Sequence, residues 1–388
     1  MASRHDQCIP SHRARFLDTP ILTVPVDYES KAVLKYSTNY PVMKIRSISY
    51  PSVIQGHSTE LVNVSSNLLN GLKIKENGLD YLVGNLALSE GRNPHKAINS
   101  NSDETDYKVL LKAGLLLASN VSNKPMVLTT GFPYATYNIN KKTVKNTLAS
   151  LDSILHDSST YGGPYHQEVP VQLSHVEVLP ELIGGIIAAR HDEEARSGSF
   201  FMVSLGYGTI EIGLSTDDGI VHKTEATAPG LRYAVDWARK DLMQNYYVGL
   251  RSEHQFDMAF QNGVITVNRK RIDLGDIRKR SLAKYYNEVI SPLMRNTWDD
   301  EDFNRANTIV LVGGGALYPD LVHSFKEEFI GLADIEIPEN PELMASKGYC
   351  IRSCQLVKSL QASGENGQIA VGIDIGNAQS SVSIYEPA

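Results

Sequence analysis

The sequence is poor in cysteine and has no long apolar run. Its three cysteines, Cys8, Cys350 and Cys354, are too few for a disulfide framework and too scattered for a metal cluster. Cys350 and Cys354 lie four residues apart on a predicted helix, where small buried hydrophobic side chains are expected. No stretch approaches the roughly 18 consecutive apolar residues of a membrane-spanning helix. We therefore expect a cytoplasmic protein without a membrane span.

The chain also lacks a signal peptide and a strong excess of basic charge. Residues 1–19 are polar, without the apolar segment of a signal peptide, and are predicted to form a disordered or partner-binding tail. The formal net charge is -7, and no basic nucleic-acid-binding motif occurs, which argues against direct contact with nucleic acid. The length of 388 residues suits two domains of ordinary size.

Strands alternate with helices through most of the chain, which is the pattern of an α/β protein. Strands are predicted over residues 124–131, 169–179, 200–205, 209–214, 308–312, 368–374 and 380–385. Helices are predicted over residues 143–155, 181–190, 231–245, 276–298 and 343–360.

Three segments combine an apolar strand with a turn of small residues. They are Gly372-Ile-Asp-Ile-Gly-Asn-Ala-Gln-Ser380, Val203-Ser-Leu-Gly-Tyr-Gly-Thr209 and Val310-Leu-Val-Gly-Gly-Gly315. A phosphate group is bound by inward-pointing backbone N–H groups with no Cβ in the way, so these turns are suited to it. One such turn is usually only a tight turn, but three in one α/β chain favour a nucleotide site. None is a Walker A loop or a dinucleotide fingerprint.

The three segments resemble the phosphate-1, phosphate-2 and adenosine motifs of the actin-like ATPase superfamily. That superfamily includes actin, chaperone ATPase domains and sugar kinases. Glu181 resembles the polar residue of the first connecting helix, and residues 340–349 resemble the second connecting segment. Segments around Tyr50, Tyr81 and Thr130 are similar to the plasmid-segregation actins of the ParM type. The resemblance implies an actin-like two-domain fold, in which duplicated ribonuclease H-like domains enclose a nucleotide cleft.

The order of the motifs departs from the family, because the phosphate-1 hairpin normally comes first and here follows the last helix. Residues 362–367 form a Gly-containing linker that reaches about 20 Å when extended, so a circular permutation is feasible. The alternative phosphate-1 loop near Asp27 has no glycine in its turn. The implied domains are residues 20–195 with 361–388, and residues 196–360.

The resemblance implies roles for individual residues around ATP or GTP and Mg²⁺. Asp374 would bind the metal through water, with a weak contribution from Ser204, and Glu181 would orient or activate the attacking water. The residues expected to contact the nucleotide are Gly376, Asn377, Ala378, Gln379, Ser380, Gly206, Tyr207, Gly208, Thr209, Gly230, Gly313, Gly314 and Gly315.

The phosphate-2 segment departs from the family at both ends. Ser204 stands where the family usually has Asp, and Glu211 stands where it has a second Asp. A serine hydroxyl can hold a water but carries no charge, so weaker metal binding or slow hydrolysis is expected.

The leading functional hypothesis is a filament-forming protein that segregates a plasmid or other cargo through a DNA-bound adaptor. A small-molecule kinase and a non-hydrolysing nucleotide sensor on the same fold stay open as alternatives. A chaperone-type ATPase is disfavoured, because no substrate-binding domain follows the predicted ATPase.

Overall fold

The structure is a computed structural model that describes residues 44–92, 94–96, 101–191, 196–246 and 253–385. The predicted tail, the segment around Asp27 and Cys8 lie outside these residues. The remainder of the chain from Met43 forms one compact unit. Its strands, in chain order, are β1 (Arg46–Pro51), β2 (Val53–His57), β3 (Lys73–Glu76), β4 (Leu79–Val83), β5 (His95–Lys96), β6 (Met126–Phe132), β7 (Ser153–His156), β8 (Gln167–Pro170), β9 (Leu173–Pro180), β10 (Phe200–Leu205), β11 (Thr209–Thr216), β12 (Gly219–Pro229), β13 (Val264–Val267), β14 (Lys270–Asp273), β15 (Thr308–Val312), β16 (Asp334–Glu336), β17 (Ile369–Ile375) and β18 (Gln379–Tyr385).

Helices lie between these strands for most of the chain. They are α1 (Asn85–Glu90), α2 (Thr105–Ser119), α3 (Tyr134–Ala149), α4 (Glu181–His191), α5 (Arg232–Tyr246), α6 (Glu253–Asn262), α7 (Gly275–Tyr285), α8 (Ser291–Thr297), α9 (Asp300–Phe303), α10 (Pro319–Glu328) and α11 (Met344–Ala362). A π-helical turn, Tyr286–Ile290, joins α7 to α8. Short 3₁₀ turns lie at Ser158–Tyr161, Gly314–Leu317 and Pro341–Leu343.

The first large sheet has the strand order β1-β18-β17-β6-β9. Its central strands β17 and β6 run parallel to each other and are apolar on both faces, as expected for strands covered by helices on both sides. The hairpin of β17 and β18 therefore supplies two inner strands of a sheet whose other members lie far earlier in the chain. β1 pairs with β18 from Arg46 opposite Ile384 to Pro51 opposite Gln379.

The second large sheet has the order β12-β11-β10-β15-β16. β10 pairs with β11 in an antiparallel hairpin and with β15 in parallel. A large apolar core packs on this sheet, with Phe201, Phe256 and Phe325 among its fully buried members. A separate apolar core fills the first sheet and its helices. The chain thus has two halves, each built on a five-stranded sheet, and the predicted α/β fold is confirmed.

Two smaller sheets complete the fold. One has the order β5-β2-β4-β3-β7-β8 and contains a buried ion pair in which Lys73 Nζ lies 2.9 Å from Asp157 Oδ2. The other is the two-stranded hairpin of β13 and β14, which precedes α7.

Helices α4 and α11 cross where the two halves meet. A Cβ on Gly348 would lie 1.7 Å from the carbonyl oxygen of Gly184, so both helices need glycine for this close approach. α4 contacts β9 of the first sheet and β10 of the second, whereas α11 packs on β17, β18 and β6. α11 lies within the predicted second domain by sequence, yet its packing partners belong to the first sheet.

Candidate nucleotide-binding site

A cavity of about 290 Å³ lies where the ends of three strand-turn segments meet. The turns follow β17, β10 and β15, which are the segments singled out in the sequence. Of the sixteen predicted site residues, all but Gly230 and Ser380 line the cavity. The fold thus brings together three segments that are widely separated in the sequence.

The first turn joins β17 to β18. Asp374, near the end of β17, and the turn residues Gly376, Asn377 and Ala378 line the cavity. Ser380 is fully buried instead, and its Oγ lies 2.8 Å from Ser52 Oγ in a hydrogen bond. The Ser380 side chain therefore anchors the base of the hairpin and does not reach the cavity.

The second turn joins β10 to β11 and faces the first. A Cβ on Gly208 would lie 2.5 Å from Asn377 Oδ1, so the two turns approach each other as closely as glycine permits. Tyr207 donates a hydrogen bond of 2.8 Å from its Oη to Asp257 Oδ1 of α6. The second turn is thereby held between the first turn and α6, a helix of its own half.

Gly230 supports the second turn from behind. Its N–H donates to the carbonyl oxygen of Gly208 at 3.0 Å, and the next amide, of Leu231, donates to Gly206. A Cβ on Gly230 would meet three backbone atoms of the turn at 2.6 Å. Gly230 thus packs against the second turn and is not among the residues that line the cavity, and its predicted contact with a nucleotide stays a prediction.

The third turn follows β15. Gly313 has a φ of 84°, which favours glycine, and a Cβ on Gly315 would lie 2.6 Å from Cβ of Leu205. Gly314 differs from both, because a Cβ there would have no heavy atom within 4 Å. Only open cavity space lies beside Gly314, so packing alone does not account for a glycine at this position.

Two carboxylates line the cavity on the side of the first two turns. Burial, followed by the charges of Asp374 and Glu211, raises the pKa of Glu181 well above its ordinary value. Burial raises the pKa of Asp374 to about 7. The side chains repel each other's negative charge, so this wall favours a cation or a bound proton.

Ser204 and Glu211 face each other across the β10–β11 ladder, but only Ser204 lines the cavity. The Glu211 carboxylate is buried and accepts hydrogen bonds from the backbone amides of Tyr134 (2.6 Å) and Leu182 (3.1 Å). These amides belong to the first turns of α3 and α4, where unpaired N–H groups favour an anion. The acid that closes the phosphate-2 motif therefore connects β11 to two helix starts.

Several residues that line the cavity were not predicted from the sequence. They are Gly185, Leu231, Gln261, Arg278, Val312, Leu317, Tyr318, Pro319, Pro341, Glu342 and Ala345. Arg278 is held by hydrogen bonds from Nη1 to the carbonyl oxygens of Phe260 (3.3 Å) and Gln261 (3.0 Å). Glu342 Oε2 is buried without a hydrogen-bond partner among the described residues. Glu342 lies in the predicted connecting segment, which could have drawn attention to it, whereas no sequence signal distinguishes Arg278.

The described residues contain no ready-made cluster of three metal-ligating side chains. Asp374 and Glu181 nevertheless suit Mg²⁺, which is commonly held through water by one or two carboxylates together with phosphate oxygens. The mutual repulsion of the two acids would be relieved by such an ion. No described helix is long and apolar enough to cross a membrane.

The known proteins that the chain resembles are actin-like proteins. Residues 29–184 match the model of a family described as the N-terminal domain of actin-like proteins. No curated protein sequence matches the chain. Many solved structures match the fold of the chain.

Three of these structures are representative. A 15-stranded ParM filament from Clostridium botulinum matches with a TM-score of 0.62 and 17% identity, over 79% of this chain and 92% of the other. The archaeal actin homologue Ta0583 in complex with ADP matches at 0.59 and 15%, over the same shares. The actin-like protein Alp7A matches at 0.59 and 15%, over 81% of this chain and 93% of its own. At these identities the likeness is one of fold.

Proposed function

The chain has the fold of the actin-like ATPase superfamily, and from this premise we propose that it binds a nucleoside triphosphate and assembles into filaments. The observation that carries nucleotide binding is the convergence of three small-residue turns on one cavity beside Asp374. The likeness to a ParM filament and to an ADP-bound archaeal homologue supports the same proposal.

In this proposal the phosphates lie between the two facing turns. Backbone amides of Gly376 to Gln379 bind the β-phosphate, and those of Gly206 to Thr209 bind the γ-phosphate. A Cβ on Gly208 would lie 2.5 Å from Asn377 Oδ1, so the two turns are close enough for one triphosphate in the cavity beside them to contact both. A triphosphate bridging them would couple the two halves of the molecule.

The nucleoside lies beside the third turn. Gly314 leaves the space that a base or ribose requires, and Arg278 offers a planar guanidinium at the cavity wall. Glu342 provides an acceptor that lacks a donor, which suits a ribose hydroxyl or an exocyclic amino group. Either ATP or GTP meets these requirements.

Hydrolysis is proposed to be slow. When bound, Mg²⁺ would neutralise phosphate charge, and Asp374 would hold it through water. Glu181 accepts a proton from the attacking water or orients it. Ser204 leaves the site with one fewer negative charge than the family pattern, which weakens the hold on metal-bound water.

The fold supports filament formation more directly than it supports a role in cargo segregation. Nucleotide binding closes the two halves and favours the polymerising conformation, and hydrolysis reverses it. Plasmid or cargo segregation through a DNA-bound adaptor in the cytoplasm is the proposed role. Ser204 also supports a second candidate, a nucleotide sensor that binds without turnover, whereas no described residue set favours a sugar kinase.

We also propose that the chain is a circular permutant of the family. The hairpin of β17 and β18 lies inside the first sheet between β1 and β6, and α11 precedes it directly in sequence. A linker of only six residues, 363–368, separates Ala362 from Ile369. A phosphate-1 hairpin placed after the last helix therefore reaches its position without long connections.

Sedimentation at high speed with ATP, GTP, ADP and a non-hydrolysable analogue tests the function, with phosphate release measured in parallel. The proposal expects a pellet with a triphosphate or its analogue, together with slow phosphate release. Nucleotide binding without a pellet would identify the sensor instead. Absence of nucleotide binding would refute both.

A further inference from the structure

Two surface features on the second half of the chain have complementary shape and charge. We propose that they bind each other between neighbouring copies and form the head-to-tail contact of the filament. The inference rests on the proposed filament function and identifies the surfaces that would build it.

The first feature, which we call the socket, lies between the β13–β14 hairpin and α7. Its lining includes the apolar side chains of Val267, Ile272 and Ile277. Its other lining residues are Asn268, Lys270, Arg271, Asp273, Gly275, Asp276 and Arg280. The socket thus has an apolar floor and a charged rim.

The socket rim is basic in a chain that is acidic overall. Arg269, Lys270, Arg271 and Lys279 are exposed. Arg280 is also half-exposed and forms an ion pair of 2.8 Å with Asp241. Since the chain carries a net charge of -7, a concentration of cations around Asp273 and Asp276 marks a surface suited to an acidic partner.

The hairpin tip supports a binding role for these cations. Asn268 and Arg269 have φ values of 50° and 63°, the conformation of a two-residue hairpin turn that favours Asn-Gly. An arginine in place of that glycine is conformationally unfavourable. The arrangement presents three consecutive cationic residues, 269–271, on a two-stranded ribbon.

The second feature, which we call the knob, connects α10 to β16. Ile330 is 84% exposed and Leu332 is 49% exposed, although both follow Phe329, which is anchored in the core. Gly331, with a φ of 74°, turns the chain between them. The knob is flanked by two exposed acids, Glu327 in the last turn of α10 and Asp334 at the start of β16. Apolar side chains beside acids match a basic-rimmed socket with an apolar floor.

One molecule does not bring its own knob to its own socket. Arg278 and Tyr318 both line the nucleotide cavity near the starts of α7 and α10, and the rings of Tyr286 and Phe325 are 5.0 Å apart further along. The two helices therefore run in the same direction. The socket lies at the start of α7, and the knob follows the end of α10, roughly 15 Å further on.

Two different surfaces at the two ends of one helical layer form a heterologous contact between copies, which builds an open filament when the rotation between neighbours does not close a ring. The socket is also connected to the nucleotide site. Ile277 in its floor is adjacent in sequence to Arg278, which lines the cavity. Nucleotide binding would therefore reach the subunit contact through the first turns of α7.

Charge exchange tests the pairing. The socket variant Lys270→Glu/Arg271→Glu and the knob variant Glu327→Lys/Asp334→Lys are each expected to raise the critical concentration for sedimentation about tenfold or more. The combined four-residue exchange should bring it back to within about threefold of the original chain. Lys142→Glu/Lys358→Glu changes the net charge as the socket variant does, at exposed sites elsewhere, and should polymerise normally.

Circular dichroism and nucleotide affinity of every variant establish that the fold is retained. Normal polymerisation of either the socket or the knob variant, or failure of the combined exchange to restore it, would overturn the pairing and leave the proposed function intact. If the unaltered chain remains in the supernatant with every nucleotide, the filament function and this inference are both overturned.

Discussion

The carboxylate of Glu211 accepts a hydrogen bond of 3.1 Å from the backbone amide of Leu182, the residue that follows Glu181. Its other oxygen accepts from the amide of Tyr134 at 2.6 Å. Glu211 lies on β11 of the second sheet, whereas Tyr134 begins a helix that follows β6 of the first. One buried side chain thus fixes the position of Glu181 and joins the two halves behind the cavity.

Replacing Glu211 with glutamine is expected to separate hydrolysis from binding. A glutamine side chain can accept only through its carbonyl oxygen, so its NH₂ group would face an amide donor. We expect kcat for nucleotide hydrolysis to fall about tenfold or more because Glu181 shifts. Nucleotide affinity should change much less, and phosphate release together with equilibrium binding measures both.

A loss of stability alone would not lower kcat while leaving the nucleotide affinity of the folded protein nearly unchanged. Asp157→Asn breaks the buried pair with Lys73 in a different sheet and should lower stability without changing kcat of the folded protein. Equal effects of the two substitutions on kcat would contradict a positioning role for Glu211.

The stability of the nucleotide-free chain should depend on the protonation of Glu211. Burial raises the pKa of this carboxyl from 4.5 to about 7. Between these values the folded state holds a proton that the unfolded state has lost, so stability is full below about 4.5 and falls as the pH rises to about 7. The shift corresponds to about 3 kcal/mol at most. Chemical denaturation across this range should show the fall, with a smaller slope in Glu211→Gln.

Gly314→Ala should weaken nucleotide binding without destabilising the protein. The added Cβ meets nothing within 4 Å, so the free energy of unfolding should change by less than about 0.5 kcal/mol. Because the methyl group would occupy the space assigned to the nucleoside, affinity should fall about tenfold. Gly56→Ala, remote from the cavity with an ordinary contact of 4.0 Å, provides a matched control. Unchanged affinity in Gly314→Ala would place the nucleoside elsewhere.

Substitution of two aspartates distinguishes the candidate phosphate-1 loops. Asp374→Ala is expected to lower affinity for the Mg²⁺-bound nucleotide strongly, because Asp374 lines the cavity. Asp27→Ala should leave it unchanged. Titration with and without Mg²⁺ measures both, and the reverse outcome would assign the loop to the segment around Asp27.

Periodicity and turn composition predicted most strands of the two large sheets, because these strands are short apolar runs bounded by small residues, but they did not predict β1 or β16. The predicted strand 200–205 coincides with β10, and the predicted helix 181–190 ends one residue before α4 does. The actin-like fold followed from the motifs and is confirmed. The helix predicted over residues 143–155 was wrong in part. The observed helix begins at Tyr134 and ends at Ala149, and β7 follows it. Polar residues at 136–142 obscured its first half.

Site residues could be predicted from the sequence where the backbone geometry of a turn requires glycine. They could not be predicted where contacts between distant segments determine which residues line the cavity. Gly206, Gly208 and Gly313 were identified from turn composition alone. The position of Gly230 behind the second turn depends on three contacts with backbone atoms, which no local pattern encodes. Arg278 reaches the cavity because α7 packs beside α10, a relationship between segments that only the folded chain defines. The nucleotide roles of the lining residues stay predictions.

The position of the β17–β18 hairpin has a consequence for synthesis. Ser47 and Ser383, whose hydroxyls lie 2.8 Å apart, are separated by 336 residues. During translation β1 and β6 therefore emerge long before the two strands that must lie between them, and the first sheet cannot close until residues 369–385 have left the ribosome. The second sheet, whose strands lie between residues 200 and 336, can form earlier. The cavity is thus completed last, so a nascent chain should acquire the proposed nucleotide binding and assembly only after residues 369–385 have been made.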